Sequence, residues 1–146
     1  MDFLLREANL EDLLGIYSIE LRSFRRPYSL YLLRELLSSR FVKTFVAVRE
    51  GAVVGYVSFL LKPKEWSHII SIAVDPTFRR KGCGSLLLER VLEYSKNMGC
   101  KFVYLEVDVS NKAAIEMYKN FGFKIIRRIR GYYEDEDGYL MLKKLT

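Results

Sequence analysis

A basic turn with two closely spaced glycines, between an apolar run and a helical run, is the first stretch where the residue types indicate chemistry. Residues 69–74 are apolar except for Ser71, and Asp75-Pro76 ends this run. The sequence RRKGCG at residues 79–84 then leads into a helical run from Ser85. Two such glycines let backbone N–H groups point into one concavity, and a helix N-terminus adds partial positive charge. The turn therefore suits an anion such as a pyrophosphate, although glycines before a helix are also plain loop punctuation.

The spacing of the glycines disfavours two other phosphate-binding motifs. No Lys-Ser or Lys-Thr follows Gly84, as G-x-x-x-x-G-K-[ST] requires, and G-x-G-x-x-G is not completed beyond Gly82 and Gly84. A nucleotide triphosphatase and a Rossmann dehydrogenase are therefore disfavoured.

Two side chains further along the chain have the chemistry for proton transfer. Glu106 lies in an otherwise apolar strand, where alternation puts it on one face with Tyr104 and Asp108. It is either a carboxylate on a solvated face or a general base. Tyr118 lies on an amphipathic helix and is either a core aromatic or an acid.

The elements that position these residues follow from hydrophobic periodicity and turn signals. Asn9 with Asp12 resembles a helix cap, Ser29 can cap a second helix, Glu50-Gly51 marks a hairpin, and Gly99 can end a helix. The pattern predicts strands at 3–6, 43–49, 52–61, 67–74, 101–107, 123–130 and 139–143, helices at about 10–22, 30–37, 85–98 and 112–120, and a loop at 131–138.

The predicted order of elements indicates an α+β fold. A strand, crossover helix and strand make residues 67–74 and 101–107 a parallel pair, and the remaining neighbours are antiparallel. We expect a mixed, mostly antiparallel twisted sheet with helices on both faces, in a single domain at residues 1–146.

Composition limits the class of protein. Half of the 146 residues are hydrophobic, and no apolar window approaches the roughly 18 residues of a transmembrane span. The first residues resemble no signal peptide. Two cysteines and one histidine are too few for a disulfide scaffold or an unaided four-ligand zinc site. We expect a cytoplasmic protein without a metal.

The chain is basic, with a formal net charge of +6. Such a charge attracts nucleic acid, an anionic membrane face or a phosphorylated cofactor, and it does not choose among them. Basic residues cluster at 79–81 and 124–130, and such runs are also common on ordinary solvated surfaces.

Two motifs resemble those of a known superfamily. The pattern [QR]-x-x-G-x-[GA], at Arg79, Gly82 and Gly84 after the strand end I-A-V-D-P, resembles the acetyl-CoA-binding motif of GNAT acyltransferases. L-E-V-x-x-S-N-x-x-A-I-x-x-Y-x-x-x-G-F at residues 105–123 is similar to the protein N-terminal acetyltransferases of that superfamily, the RimI-like and archaeal N-α-acetyltransferases. The sequence at residues 130–141 extends the resemblance over essentially the whole chain.

The resemblance implies a GNAT fold with a splayed parallel strand pair and acetyl-CoA as cofactor. Strand backbone would run beside the pantetheine, the basic turn would hold the pyrophosphate, and an asparagine would contact the cofactor. The residues so implied are Ile72, Ala73, Val74, Arg79, Arg80, Lys81, Gly82, Cys83, Gly84, Ser85 and Asn111.

The resemblance also implies catalytic and substrate-binding roles. Glu106 would be the base, directly or through water, and Tyr118 would protonate the departing thiolate. His68 stands where archaeal relatives carry a histidine, and it is either an auxiliary base or a strand-end residue. Asp108 departs from the arginine usual after L-E-V, which bears on substrate selectivity. Two loops would flank a peptide groove through Phe24, Pro27, Tyr28, Tyr132 and Tyr133.

The function expected from this resemblance is acetylation of a protein N-terminus, a ribosomal protein being one candidate. The amine would attack acetyl-CoA directly in a ternary complex, and Cys83 would be structural. Acetylation of lysine side chains or small amines, and a basic nucleic-acid-binding module, are the alternatives. We expect protein or peptide N-termini as partners, without nucleic acid or membrane, and a monomer or weak homodimer.

Overall fold

One seven-stranded sheet carries the fold, in a computed structural model that describes residues 2–146. The sheet order is β1-β2-β3-β4-β5-β7-β6, and all neighbours are antiparallel except β4 and β5. The strands are β1 (Leu4–Glu7), β2 (Val42–Arg49), β3 (Ala52–Lys62), β4 (Trp66–Val74), β5 (Phe102–Asp108), β6 (Lys124–Tyr133) and β7 (Glu136–Lys144). The mixed, mostly antiparallel α+β sheet expected from the sequence is confirmed.

Residues 2–146 contain four α-helices. They are α1 (Leu13–Ser23), α2 (Leu30–Ser38), α3 (Cys83–Asn97) and α4 (Lys112–Asn120). Asn9 and Asp12 form a capping box at the 3₁₀ turn before α1, and the Ser29 hydroxyl accepts the Leu32 N–H at 3.1 Å. Among residues 2–146 no helix has the length and apolarity to cross a membrane.

Two apolar clusters place helices on both faces of the sheet. One cluster joins the sheet to α3 and α4 through residues such as Leu87, Leu105 and Ile115. The other joins it to α1 and α2 through Ile19 and Tyr56. Alternate residues of β5 divide between the faces as predicted: Val103, Leu105 and Val107 are buried toward α3 and α4, while Tyr104 and Glu106 occupy the opposite face.

The parallel pair separates soon after it forms. Strand β4 pairs with β5 only at Trp66, Ser67 and His68, and both strands then continue against their other neighbours. A sheet that opens in this way leaves backbone N–H and C=O groups of β4 facing a gap. The gap lies directly beside His68.

A bulge in β4 changes which of its alternating side chains face α1. Ser58 of β3 pairs with Ser71 and Phe59 pairs with Ile69, so Ile70 is the extra residue. Before the bulge Ile69 packs into the cluster under α3, and after it Ser71 reaches α1. His68 and Ser71 consequently share the face that carries α1 and α2.

Two predicted boundaries are wrong. The predicted loop at 131–138 is largely strand, because Tyr133 pairs with Glu136 and leaves only Glu134 and Asp135 as the turn between β6 and β7. Gly131, at φ +62°, lies where the register shifts, so it makes an irregularity in the strand rather than a loop. Helix α3 begins at Cys83 rather than Ser85 because Gly82, at φ +88°, forms its cap.

Candidate active site

Two of the three candidate proton-transfer residues, His68 and Glu106, contact each other directly. His68 Nε2 and Glu106 Oε1 are 2.7 Å apart. His68 is the last β4 residue paired with β5, opposite Tyr104, and Glu106 lies two residues further along β5, where the pairing has ended. Both side chains are partly accessible, with 24% of His68 and 17% of Glu106 exposed. The pair therefore sits at the edge of the gap and is open to a substrate.

Aromatic packing fixes the orientation of the imidazole. The His68 ring stacks on Tyr104 with centroids 4.3 Å apart and planes 5° apart, and Trp66 packs edge-on against the same tyrosine. When Glu106 is ionised, Nε2 of His68 must donate the hydrogen bond, so the lone pair of a neutral ring lies on Nδ1. The arrangement gives a held imidazole with one nitrogen free to accept a proton.

Three tyrosines, Tyr28, Tyr132 and Tyr133, lie close enough to Glu106 that, besides burial, its charge raises their pKa values. Burial, and then the negative charges of Glu20 and Glu106, raise the pKa of Tyr28. Burial and then Glu106 also raise the pKa of Tyr132, and the Tyr132 and Tyr133 rings contact each other edge-to-face at 4.9 Å. Tyr28 and the Tyr132–Tyr133 pair, predicted on separate loops, thus all lie within range of the charge of Glu106.

Ion pairs join these two loops on their outer side. Arg26 Nη2 lies 2.5 Å from Asp135 Oδ1, and Arg25 pairs with the other oxygen of the same carboxylate. The arginines belong to the loop at residues 24–29 between α1 and α2, and Asp135 belongs to the turn between β6 and β7. We call this contact the arginine–aspartate bridge, and it connects the loop that carries Tyr28 to the turn that follows Tyr133.

The basic turn before α3 has the geometry of an anion site. Arg80 and Gly82 have φ values of +62° and +88°, which bends successive N–H groups toward one side. The first helical hydrogen bond is the one that Leu86 donates to Gly82. The N–H groups of Cys83, Gly84 and Ser85 precede that bond, so they have no partner within the helix and are available to a ligand.

Some side chains of this turn make hydrogen bonds within the protein, and others extend into solvent. Arg79 turns back, donating to the Val74 carbonyl at 3.0 Å and to the Ser23 hydroxyl at 3.2 Å, whereas Arg80 and Lys81 are exposed. Cys83 is only 1% exposed, and burial raises the pKa of its thiol to about 11. A buried, protonated thiol is a poor nucleophile, which agrees with the structural role expected for Cys83.

The β4 backbone beside the gap is paired on one side only. Ile72, Ala73 and Val74 pair with β3, and pairing to β5 has already ended at His68. An extended ligand with amide groups, such as pantetheine, can complete hydrogen bonds along such a strand. Together with the anion site at its end, this edge fits acetyl-CoA.

Tyr118 lies on α4, and Asn111 is the cap residue just before that helix. Tyr118 is 5% exposed, its ring packs against Phe123, and burial followed by the nearby Tyr133 raises the pKa of its hydroxyl. It therefore remains protonated and can act only as an acid at neutral pH. Asn111 caps the helix by accepting the Ala114 N–H at 3.3 Å, which leaves its amide donors for a ligand.

One charged residue near the site was missed by sequence reasoning. Glu20 is 2% exposed, and it accepts hydrogen bonds from Tyr56 and from the Tyr28 N–H. A signal for it was present, because Glu20 continues the buried stripe of Ile16 and Ile19 at helical spacing. An acid on an apolar helix stripe indicates a buried carboxylate that must find donors.

Comparisons with known proteins agree with this geometry. Residues 12–123 match the acetyltransferase (GNAT) family. The chain is 36% identical to an N-alpha-acetyltransferase of Saccharolobus solfataricus over 160 aligned positions, covering 99% of this chain and 94% of that protein. The chain belongs to the acetyltransferase (GNAT) family and is an acetyltransferase.

Two solved structures share the whole fold. The ribosomal-protein-S18-alanine N-acetyltransferase of Escherichia coli superposes with a TM-score of 0.92 at 27% identity, over 99% of this chain and 95% of that one. Ard1 from Thermoplasma volcanium superposes with a TM-score of 0.91 at 29% identity, over 100% and 99%. The GNAT fold expected from the two motifs is confirmed.

Proposed function

We propose that this acetyltransferase transfers the acetyl group of acetyl-CoA to the α-amino group of a protein N-terminus. The observation that carries the proposal is the 2.7 Å contact between His68 and Glu106 beside the gap between β4 and β5. The relatives' names support it, because one is an N-alpha-acetyltransferase and another acts on the alanine of ribosomal protein S18. A ribosomal protein is therefore a reasonable first candidate substrate.

In this proposal His68 and Glu106 remove the proton from the acceptor amine. An α-amino group has a pKa near 8, so a large share is protonated at neutral pH and cannot attack. Glu106 holds the imidazole at Nε2, and Nδ1 accepts the proton directly or through one water. The carboxylate then stabilises the imidazolium that forms.

Acetyl-CoA supplies an acetyl group activated as a thioester, and the residues of the chain hold it in place. N–H groups at the start of α3 bind the pyrophosphate, helped by the exposed cations of the turn, while Asn111 and the β4 edge contact the remainder. Those residues are Ile72, Ala73, Val74, Arg80, Lys81, Gly82, Cys83, Gly84 and Ser85, with Arg79 holding the turn to the strand end.

Tyr118 completes the reaction as the acid. Its raised pKa keeps the hydroxyl protonated, so it can donate a proton to the leaving sulfur. The amine attacks directly, since the only thiol in the turn, Cys83, is buried. No covalent intermediate on the protein is needed.

The substrate peptide lies between the loop at residues 24–29 and the turn between β6 and β7. Phe24, Pro27 and Tyr28 on one side, with Tyr132 and Tyr133 on the other, give a narrow groove with aromatic walls. Flat aromatic side chains can pack against both sides of an extended peptide terminus, which is narrow. We further propose a cytoplasmic enzyme that is monomeric or weakly dimeric, in keeping with its two free cysteines.

Acetylation of short peptides tests the proposal. Peptides that differ at their first two residues are incubated with the protein and acetyl-CoA, and products are identified by mass spectrometry. We expect acetylation of the terminal amine, with rates that depend on those two residues. Acetylation of lysine side chains or small amines without any terminal product would overturn the proposal, as would salt-sensitive binding of oligonucleotides that coenzyme A does not affect.

A further inference from the structure

A buried carboxylate outside the proposed acid–base machinery connects three elements below the substrate loops. Glu20 on α1 accepts hydrogen bonds from the Tyr56 hydroxyl of β3, from the Ser71 hydroxyl of β4 at 3.5 Å, and from the Tyr28 N–H at 3.0 Å. Tyr56 and Ser71 are 2.7 Å apart. We call Glu20, Tyr56, Ser71 and the Tyr28 N–H the Glu20 cluster.

The protons of the Glu20 cluster can be assigned. Tyr56 has a single hydroxyl proton, and its contact with the carboxylate uses that proton. Ser71 must then donate to the tyrosine oxygen or to Glu20. Burial and the charge of Glu20 raise the pKa of Tyr56, which keeps the phenol neutral and donating. The Tyr56 hydroxyl and the Tyr28 N–H therefore both donate to the carboxylate.

Such a cluster is a poor means of stabilising a fold. Tyr56 is fully buried, Glu20 is 2% exposed and Ser71 is 8% exposed. The free energy needed to desolvate a carboxylate usually exceeds the stabilisation that its hydrogen bonds provide. Proteins in which apolar side chains of similar volume replace such buried charges are often at least as stable. Buried polar groups of this kind can instead specify one conformation.

The conformation specified here is that of the loop at residues 24–29. Glu20 lies near the C-terminal end of α1. Its carboxylate accepts a hydrogen bond from the N–H of Tyr28, which lies beyond the end of that helix. The other two donors belong to the sheet floor, at the level of the β4 bulge. The carboxylate thus ties the loop to the same strand that carries His68.

We propose that Glu20 is a positioning residue for the acceptor peptide: through the Tyr28 N–H it sets the distance between the aromatic loop and the His68–Glu106 pair. The inference rests on the proposed function for its kinetic readout alone. Because Glu20 contacts the peptide side of the gap, its loss changes peptide binding and selectivity more than acetyl-CoA binding.

The test compares Tyr56→Phe and Glu20→Gln with Ser58→Ala. Ser58 lies on the same strand as Tyr56 and pairs with Ser71, but its hydroxyl makes a buried 2.8 Å hydrogen bond to Thr44 of β2, outside the Glu20 cluster. Removing a hydrogen bond to a buried charge should raise the peptide KM about tenfold and leave the acetyl-CoA KM within about twofold. Ser58→Ala should change neither constant, although it removes a buried hydroxyl as well.

A second readout is independent of catalysis. Hydrogen exchange of the Tyr28 amide, measured by NMR on each folded variant, should accelerate about tenfold or more in Tyr56→Phe and Glu20→Gln and stay at the wild-type rate in Ser58→Ala. Unchanged Tyr28 exchange together with an unchanged peptide KM would overturn the inference. If the wild type acetylates no peptide, the proposed function fails, and the exchange rates still decide whether Glu20 positions the loop.

Discussion

At the scale of single residues, the proposed chemistry depends on which face of the sheet each side chain occupies. Alternation along β5 was enough to predict the face of Glu106. It could not predict the contact with His68, which is 38 residues earlier and depends on the register between two parallel strands. That register is a property of the assembled sheet.

The first prediction concerns Glu106, which supports His68 in removing the proton from the amine. Glu106→Gln keeps the size of the side chain and a hydrogen-bond acceptor for His68, but it removes the charge that stabilises an imidazolium. We expect kcat for peptide acetylation to fall about 100-fold, with the KM for acetyl-CoA unchanged, in steady-state kinetics.

Asp108→Asn is the matched control for that substitution. Asp108 is a carboxylate on the same strand and face, and it bonds to the backbone and hydroxyl of Ser110 at 2.8 and 2.7 Å. The kcat of the Asp108→Asn variant should remain close to that of the wild type. A Glu106→Gln variant with wild-type turnover would remove Glu106 from the mechanism.

The second prediction concerns the acid. Tyr118→Phe preserves the ring that packs on Phe123 and deletes only the proton donor. We expect turnover to fall about tenfold or more while binding of coenzyme A, measured by calorimetry, is retained. Tyr94→Phe is the control, since Tyr94 packs against Phe45 and Phe59 elsewhere in the core. Equal turnover of both variants would mean that another group protonates the sulfur.

Residue patterns explain why Glu106 and Tyr118 were identified and Glu20 was not. Glu106 and Tyr118 lie within a sequence motif that resembles a known family, and a motif can be recognised from neighbouring residues alone. Glu20 gains its meaning from Tyr56, 36 residues away, and Ser71, 51 residues away. Only the folded chain brings these three side chains together.

At the scale of elements, the turn before α3 is the most strongly determined part of the site. Its shape depends on Gly82 at φ +88°, a conformation that costs an L-residue about 1–2 kcal/mol. A Cβ there would meet no atom within 4 Å, so substitution strains the backbone without a clash. The strain would move the N–H groups that follow it.

The third prediction therefore compares two glycines. Gly82→Ala should raise the KM for acetyl-CoA about tenfold and leave the peptide KM unchanged. Gly51→Ala is the control, because Gly51 has φ +80°, equally open surroundings and a place in the hairpin between β2 and β3. Equal effects of the two substitutions on acetyl-CoA would show that strain alone, and not the anion site, is responsible.

The fourth prediction concerns the arginine–aspartate bridge. Exposed ion pairs are screened by salt, so opening the bridge should loosen the groove between the two loops. We expect the wild-type peptide KM to rise severalfold between low salt and about 1 M NaCl, and Asp135→Asn to show a raised KM that salt changes little.

A surface ion pair elsewhere provides the control for the bridge. Glu7→Gln breaks the 2.8 Å pair with Lys43 at the β1 edge, far along the sheet order from β7. Its peptide KM should follow the wild type at every salt concentration. If Asp135→Asn does the same, the bridge plays no part in binding the peptide.

Local signals predicted most elements but not the last hairpin. Caps at Asn9 and Ser29 and the turn at Gly51 were visible because each is a short-range feature. Residues 131–138 contain glycine and a run of acids, a composition typical of a loop. In the fold Asp137 accepts the Gly131 N–H and pairs with Arg128, both at 2.8 Å, so the strands continue almost to the turn.

At the scale of the whole molecule, the sheet brings separate parts of the sequence to one gap. Strand β4 brings His68 and backbone groups without a partner on the β5 side, and β5 brings Glu106. The proposed mechanism adds Tyr118 from α4. The opening of the parallel pair after His68 gives the acetyl donor a place beside the base. Hydrophobic pattern predicted this topology, since a crossover helix between two strands requires a parallel pair.

The identity of the acceptor is the central claim, and one peptide tests it most directly. The peptide carries a free terminal alanine and one internal lysine, and tandem mass spectrometry locates the acetyl group after reaction with the wild type and with Glu106→Gln. We expect the wild type to acetylate the terminal amine, and the variant to do so about 100-fold more slowly. Acetylation of the lysine with an unmodified terminus would contradict the claim.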